Sequence, residues 1–97
     1  MTDILIIEHD VATEAFLVNA LKTQGYSVTT ARNGEEGLAL AEKLLPGVII
    51  CDWSIPGETD GLVICQALKH HPVLSTSSLV LLTSRYSTAD RVKGLEM

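Results

Sequence analysis

Acidic residues stand at the ends of two short apolar runs. Glu8, His9 and Asp10 follow Ile4 to Ile7, and Asp52 follows Val48 to Cys51, while Thr83 and Ser84 follow a further run, Leu79 to Leu82. Carboxylates brought together from separate segments repel, and one takes up a proton unless a cation lies between them, so the pattern points to a divalent-cation site. A carboxylate that ends a buried strand can also act as a nucleophile toward phosphorus. A cation then neutralises the phosphoryl oxygens and a hydroxyl bonds one of them. Asp52 suits the nucleophile and Thr83 the hydroxyl. The alternatives at this point are a solvated acidic loop for residues 8–10 and a simple cap or turn residue for Thr83.

The elements that must position these groups are legible as changes of period. Ile4 to Ile7, Val48 to Cys51 and Leu79 to Leu82 are continuous runs rich in branched residues, as expected of strands buried on both faces of a parallel sheet. Ser27 to Ala31 alternates and is weaker, which places it at an edge. Between the strands, Ala12, Phe16, Leu17, Ala20 and Leu21 share one helical face, with Gly25 as the stop. A second helix is expected from Glu35 to Leu45, opened by Asn33-Gly34 and ended by Pro46-Gly47, with Leu38, Ala41 and Leu45 on its apolar face. A third covers Gly61 to His70, and a fourth begins near Thr88 or Ala89. The order β-α-β-α-β-α-β-α gives an open parallel sheet with helices on both faces, because crossovers between parallel strands are right-handed. Ligands of such sheets bind outside the carboxyl ends of the strands, where Glu8, Asp52 and Thr83 all fall.

Composition narrows the function classes. The 97 residues suit one domain, and 46% hydrophobic content is enough for a single core. A net charge of -5 with seven scattered basic residues argues against nucleic-acid binding, which needs clustered Lys and Arg. Cys51 and Cys65 match no metal or redox spacing and read as small buried hydrophobes. The opening apolar run is too short for a signal peptide or a membrane span, so the expected setting is cytoplasmic.

Four segments together resemble the receiver domains of two-component response regulators. They are Ile4 to Asp10, Ala31 to Leu38, Asp52 to Gly57, and Leu81 to Ser84 with Asp90 to Glu96. The resemblance spans the chain in the right order and implies a flavodoxin-like sheet of strand order 2-1-3-4 and a switch driven by transient aspartyl phosphate. By position it makes Asp52 the phosphoacceptor, Thr83 the phosphoryl-binding hydroxyl and Ser84 the small residue guarding access. Glu8, His9, Asp52 and the Ser54 backbone carbonyl fall at the metal site, for which the family implies Mg²⁺. The partners implied are a histidine kinase or phosphotransfer protein and an output domain or partner protein. Neither nucleic acid nor membrane is an expected partner of this domain.

Three departures qualify that likeness. His9 stands where receivers carry a metal-binding aspartate; imidazole suits softer ions than Mg²⁺, so Mg²⁺ affinity should fall. A protonated His9 could instead set positive charge beside the carboxylates, or Asp10 could swing in to supply the oxygen. The loop after Asp52 is one residue longer than usual, with Glu58, Thr59 and Asp60 in the added stretch. The fifth strand and helix of the family, with their lysine and aromatic switch residue, are absent before Met97. The expectation is therefore a receiver over residues 1–97, incomplete at its C-terminus, that is either a fragment or a dimer sharing elements. The competing function is a degenerate receiver acting only as an interaction or dimerisation module. A flavodoxin-type redox protein is disfavoured because Glu8-His9-Asp10 would repel a phosphate at the first loop. A phosphatase with its nucleophile after the first strand is disfavoured because Glu8 stands there.

Overall fold

The computed structural model describes residues 3–52 and 61–82. Four strands, β1 (Ile4–Ile7), β2 (Val28–Ala31), β3 (Val48–Asp52) and β4 (Ser78–Leu82), alternate with helices α1 (Val11–Thr23), α2 (Gly34–Leu44) and α3 (Gly61–Lys69). A 3₁₀ turn at Leu74–Thr76 leads into β4. All pairings are parallel and the strand order is β2-β1-β3-β4, with β2 at the edge its alternating sequence suggests. Each strand lies within one residue of its expected span.

Successive strand residues face opposite sides of a sheet, so a strand buried at every position is covered on both faces. β1 meets that condition from Ile4 to Ile7. Leu5 and Ile7 join Ile49 and Cys51 in a cluster with Ala41 of α2 and with Ile64 and Leu68 of α3, while Ile4 and Ile6 are buried outside it. Full burial of each such side chain is worth about 1.5–3 kcal/mol. β1 and β3 are thereby fixed as the central strands, and their carboxyl ends become adjacent.

Helix caps set where the loops between strand and helix end. The Asp10 carboxylate accepts from the Thr13 backbone N–H at 2.9 Å and from its hydroxyl at 2.6 Å, starting α1 immediately after the acidic segment. Asn33 caps α2 in the same way through Glu36 N–H at 2.8 Å. Gly37 lets α2 approach β1 closely, because a Cβ there would stand 2.5–3.0 Å from three side-chain carbons of Ile7.

The helical faces differ from expectation in two places. α1 turns Leu17, Val18 and Leu21 inward to half-burial, whereas Ala12, Phe16 and Ala20, expected on the apolar face, are exposed, Phe16 to 72%. Phe16 is one position, or 100°, away from Leu17, and a stripe five residues wide is more than this helix covers. Leu45 does not extend the α2 face. It is the C-cap, in the left-handed region at φ 47°, ψ 57° and half exposed, and the buried face is Gly34, Gly37 and Ala41. The helix must stop before Pro46, and the αL turn supplies the stop. The expected fourth helix lies outside the described residues.

Candidate functional site

Strand register brings the acidic residues together. Ile7 pairs with Cys51 across β1 and β3, so the next residues, Glu8 and Asp52, leave the sheet side by side. Both are buried, at 2% and 5% exposure, and they are the only buried charged residues among those described. Glu8 is held there by its backbone N–H, which donates to the Ala31 carbonyl at 2.9 Å as a continuation of the β1–β2 ladder. Its Oε1 accepts the Asp10 backbone N–H at 3.0 Å.

Burial of the Glu8 carboxyl and its hydrogen bond to Asp52 push it above the usual glutamate range, the Asp10 N–H and the nearby imidazole opposing them. Asp10 behaves oppositely. Its bonds to Thr13 hold it below the usual aspartate range.

His9 completes the cluster. Its Nδ1 lies 3.5 Å from Glu8 Oε1 and 3.6 Å from Asp52 Oδ2, with the ring partly exposed. One ligand atom from each of Glu8, His9 and Asp52 lies within 4.8 Å of the others. The donor set fits a divalent cation: two buried carboxylates repel unless charge is placed between them, and the imidazole adds a nitrogen. The Mg²⁺ implied by the sequence would find two of its oxygen ligands here.

The structure therefore unites three of the sequence-assigned residues, Glu8, His9 and Asp52. Asp10 stands outside the cluster, its Oδ2 capping α1 through Thr13. An Asp three residues before Thr13, at a helix start, is the signal that could have revealed that role. Ser54, Thr83 and Ser84 lie outside the described residues, as do Trp53, Glu58, Thr59 and Asp60. Cys51 is buried beside the site without entering it; its thiol lies 3.4 Å from the Asp52 carbonyl oxygen. His71 accepts the Val73 and Leu74 N–H groups on Nδ1 at 3.1 and 3.0 Å and organises the turn before β4.

Comparison with known proteins agrees with this geometry. Residues 4–97 match the family model of the response regulator receiver domain. The chain is 38% identical over 96 residues to the transcriptional regulatory protein AfsQ1 of Streptomyces coelicolor, covering 99% of this chain and 41% of that protein. It is 36% identical over 93 residues to the response regulator PleD of Caulobacter vibrioides, covering 96% of this chain and 20% of that protein. The chain thus spans well under half the length of these relatives. Among solved structures, the signal receiver domain of a histidine kinase from Syntrophus aciditrophicus superposes with a TM-score of 0.87 at 34% identity, covering 99% of this chain and 72% of that one. The chemotaxis response regulator CheY4 of Vibrio cholerae gives 0.86 at 26% identity, covering 99% and 79%. No helix among the described residues is long and apolar enough to cross a membrane. With the family model matched over residues 4–97 of the chain and the parallel order 2-1-3-4 in place, the chain belongs to the response-regulator receiver family.

Proposed function

We propose that the chain is a phosphoacceptor switch in which Asp52 receives a phosphoryl group from the phosphohistidine of a histidine kinase or phosphotransfer protein. The reading is carried by one observation: the buried Asp52 carboxylate meets buried Glu8 at the carboxyl ends of two adjacent central strands. A carboxylate oxygen of Asp52 attacks phosphorus, the P–N bond of the donor breaks, and the imidazole nitrogen leaves with its electron pair and takes a proton. Glu8, His9 and Asp52 would hold the divalent cation, with the Ser54 carbonyl as a further ligand; when bound, that ion neutralises phosphoryl oxygens. Mg²⁺ is the cation the family implies, at an affinity lowered by His9. Thr83 would bond a phosphoryl oxygen and Ser84 would keep access open. The change then passes to an output domain or partner protein, so the domain acts as a switch rather than a turnover enzyme, in a cytoplasmic setting.

Acetyl phosphate with Mg²⁺, followed by intact-mass measurement, tests this. A single phosphoryl adduct is expected on the parent chain and none on Asp52→Asn. An adduct that persists in Asp52→Asn, or none on the parent with any divalent cation, contradicts it. The latter outcome favours the second reading, a phosphorylation-independent interaction module, which the imidazole 3.6 Å from the Asp52 carboxylate supports.

A further inference from the structure

We infer that His9 is a metal ligand through Nδ1, and that it turns the cation pocket from Mg²⁺ toward a transition-metal dication of the Zn²⁺ class. The inference rests on the cation pocket of the proposed function and names the ion it takes. The imidazole is directed at the carboxylates although partial exposure leaves it room to point into solvent, and the same nitrogen faces both of them, at 3.5 and 3.6 Å. Those separations are too long for hydrogen bonds. They are short enough for one cation with bonds of ~2.1 Å to be held between the imidazole nitrogen and either carboxylate. Mg²⁺, by contrast, takes oxygen ligands, and one of the three donors here is nitrogen.

The surroundings support the same assignment. Glu8 Oε1 is fixed by the Asp10 N–H at 3.0 Å, so one oxygen ligand is oriented in advance. Asp10, the other nearby source of an oxygen, is engaged with Thr13 at 2.9 and 2.6 Å. The ligand atoms at hand are therefore two carboxylate oxygens and one imidazole nitrogen, a set that borderline ions accept and Mg²⁺ disfavours.

The test compares Mg²⁺ and Zn²⁺ binding by calorimetry on the parent chain and on His9→Asp, and follows the imidazole ¹⁵N resonances of the parent, assigned to His9 against His70 and His71. Replacing nitrogen by oxygen is expected to tighten Mg²⁺ and loosen Zn²⁺, lowering the ratio of zinc to magnesium affinity by about 10- to 100-fold. On the parent, Zn²⁺ is expected to shift Nδ1 of His9 while Mg²⁺ leaves it in place. An unchanged affinity ratio in a folded His9→Asp chain overturns the inference. So does a His9 Nδ1 resonance indifferent to Zn²⁺, a result that needs no variant to fold. A parent that is phosphorylated on Asp52 but shows no zinc response at His9 sinks the ligand assignment alone. One that binds Zn²⁺ through His9 but forms no adduct at Asp52 sinks the phosphoacceptor reading and leaves the ligand assignment standing.

Discussion

Glu8 illustrates how a functional pocket works against stability. Its carboxyl is buried beside Asp52 and held above the usual glutamate range by desolvation and that contact. The folded chain therefore favours protonated Glu8 more than the unfolded chain does. Stability from this group is fully present below the ordinary glutamate value and is lost as pH rises through the elevated one. Glu8→Gln removes the loss while keeping a donor for Asp52. In chelator-containing buffer, urea midpoints of the variant are expected to match the parent near pH 4 and to exceed it at pH 7; equal pH profiles would contradict this. The identities of Glu8, His9 and Asp52 as one cluster were legible because Glu8 and Asp52 each directly follow an apolar run and His9 is next to Glu8. The contact between Glu8 and Asp52, and the direction of the His9 ring, were not, since both depend on the register of two strands separated by 40 residues of sequence.

At the scale of elements, backbone demands decide two substitutions. Gly37→Ala brings a methyl group to within 2.5–3.0 Å of Ile7 carbons, and Ile7 is fully buried and central in the sheet. The helix-propensity gain from alanine is about 1 kcal/mol, but overpacking a central strand costs typically 1–3 kcal/mol. A net loss of about 1 kcal/mol is expected from denaturant unfolding, and a stabilised variant would show that α2 can lift from β1 freely. Leu45 reverses the sign. A non-glycine residue in the left-handed region costs about 1–2 kcal/mol, and this side chain is half exposed, so Leu45→Gly is expected to raise stability by about 1 kcal/mol. A lowered midpoint would contradict it. Strands were read from sequence to within a residue because β1, β3 and β4 are short branched apolar runs bounded by polar or turn residues and β2 alternates. The α2 cap was misplaced because Leu45 keeps helical spacing with Leu38 and Ala41, and only the conformation imposed ahead of Pro46 separates it from them. The α1 stripe was overdrawn at Phe16 for a similar reason: hydrophobic type does not say how much of a helix its neighbours cover.

For the whole molecule, the sheet order among the described residues sets which strands are covered, and apolar content alone does not: Leu79 to Leu82 is as apolar a run as Ile4 to Ile7, yet β4 lies at the end of the order. β1 and β3 are central and their ends form the pocket, whereas Val80 on β4 is 44% exposed and Phe16 on α1 is 72% exposed. Exposed apolar groups on an edge strand favour pairing with another chain. The purified 97-residue chain is expected to self-associate with rising concentration in light scattering, and Val80→Lys to suppress it. A well-dispersed monomer at all concentrations would contradict that expectation.

The central claim is that phosphorus becomes attached to the Asp52 carboxylate and to no other group in the pocket. Hydroxylamine converts an acyl phosphate into a hydroxamate on the carboxyl that carried it, so treating the acetyl-phosphate product and mapping its peptides identifies the acceptor. The expected result is release of phosphate with a hydroxamate on Asp52 alone. A hydroxamate on Glu8, or phosphorus found on His9, would contradict it.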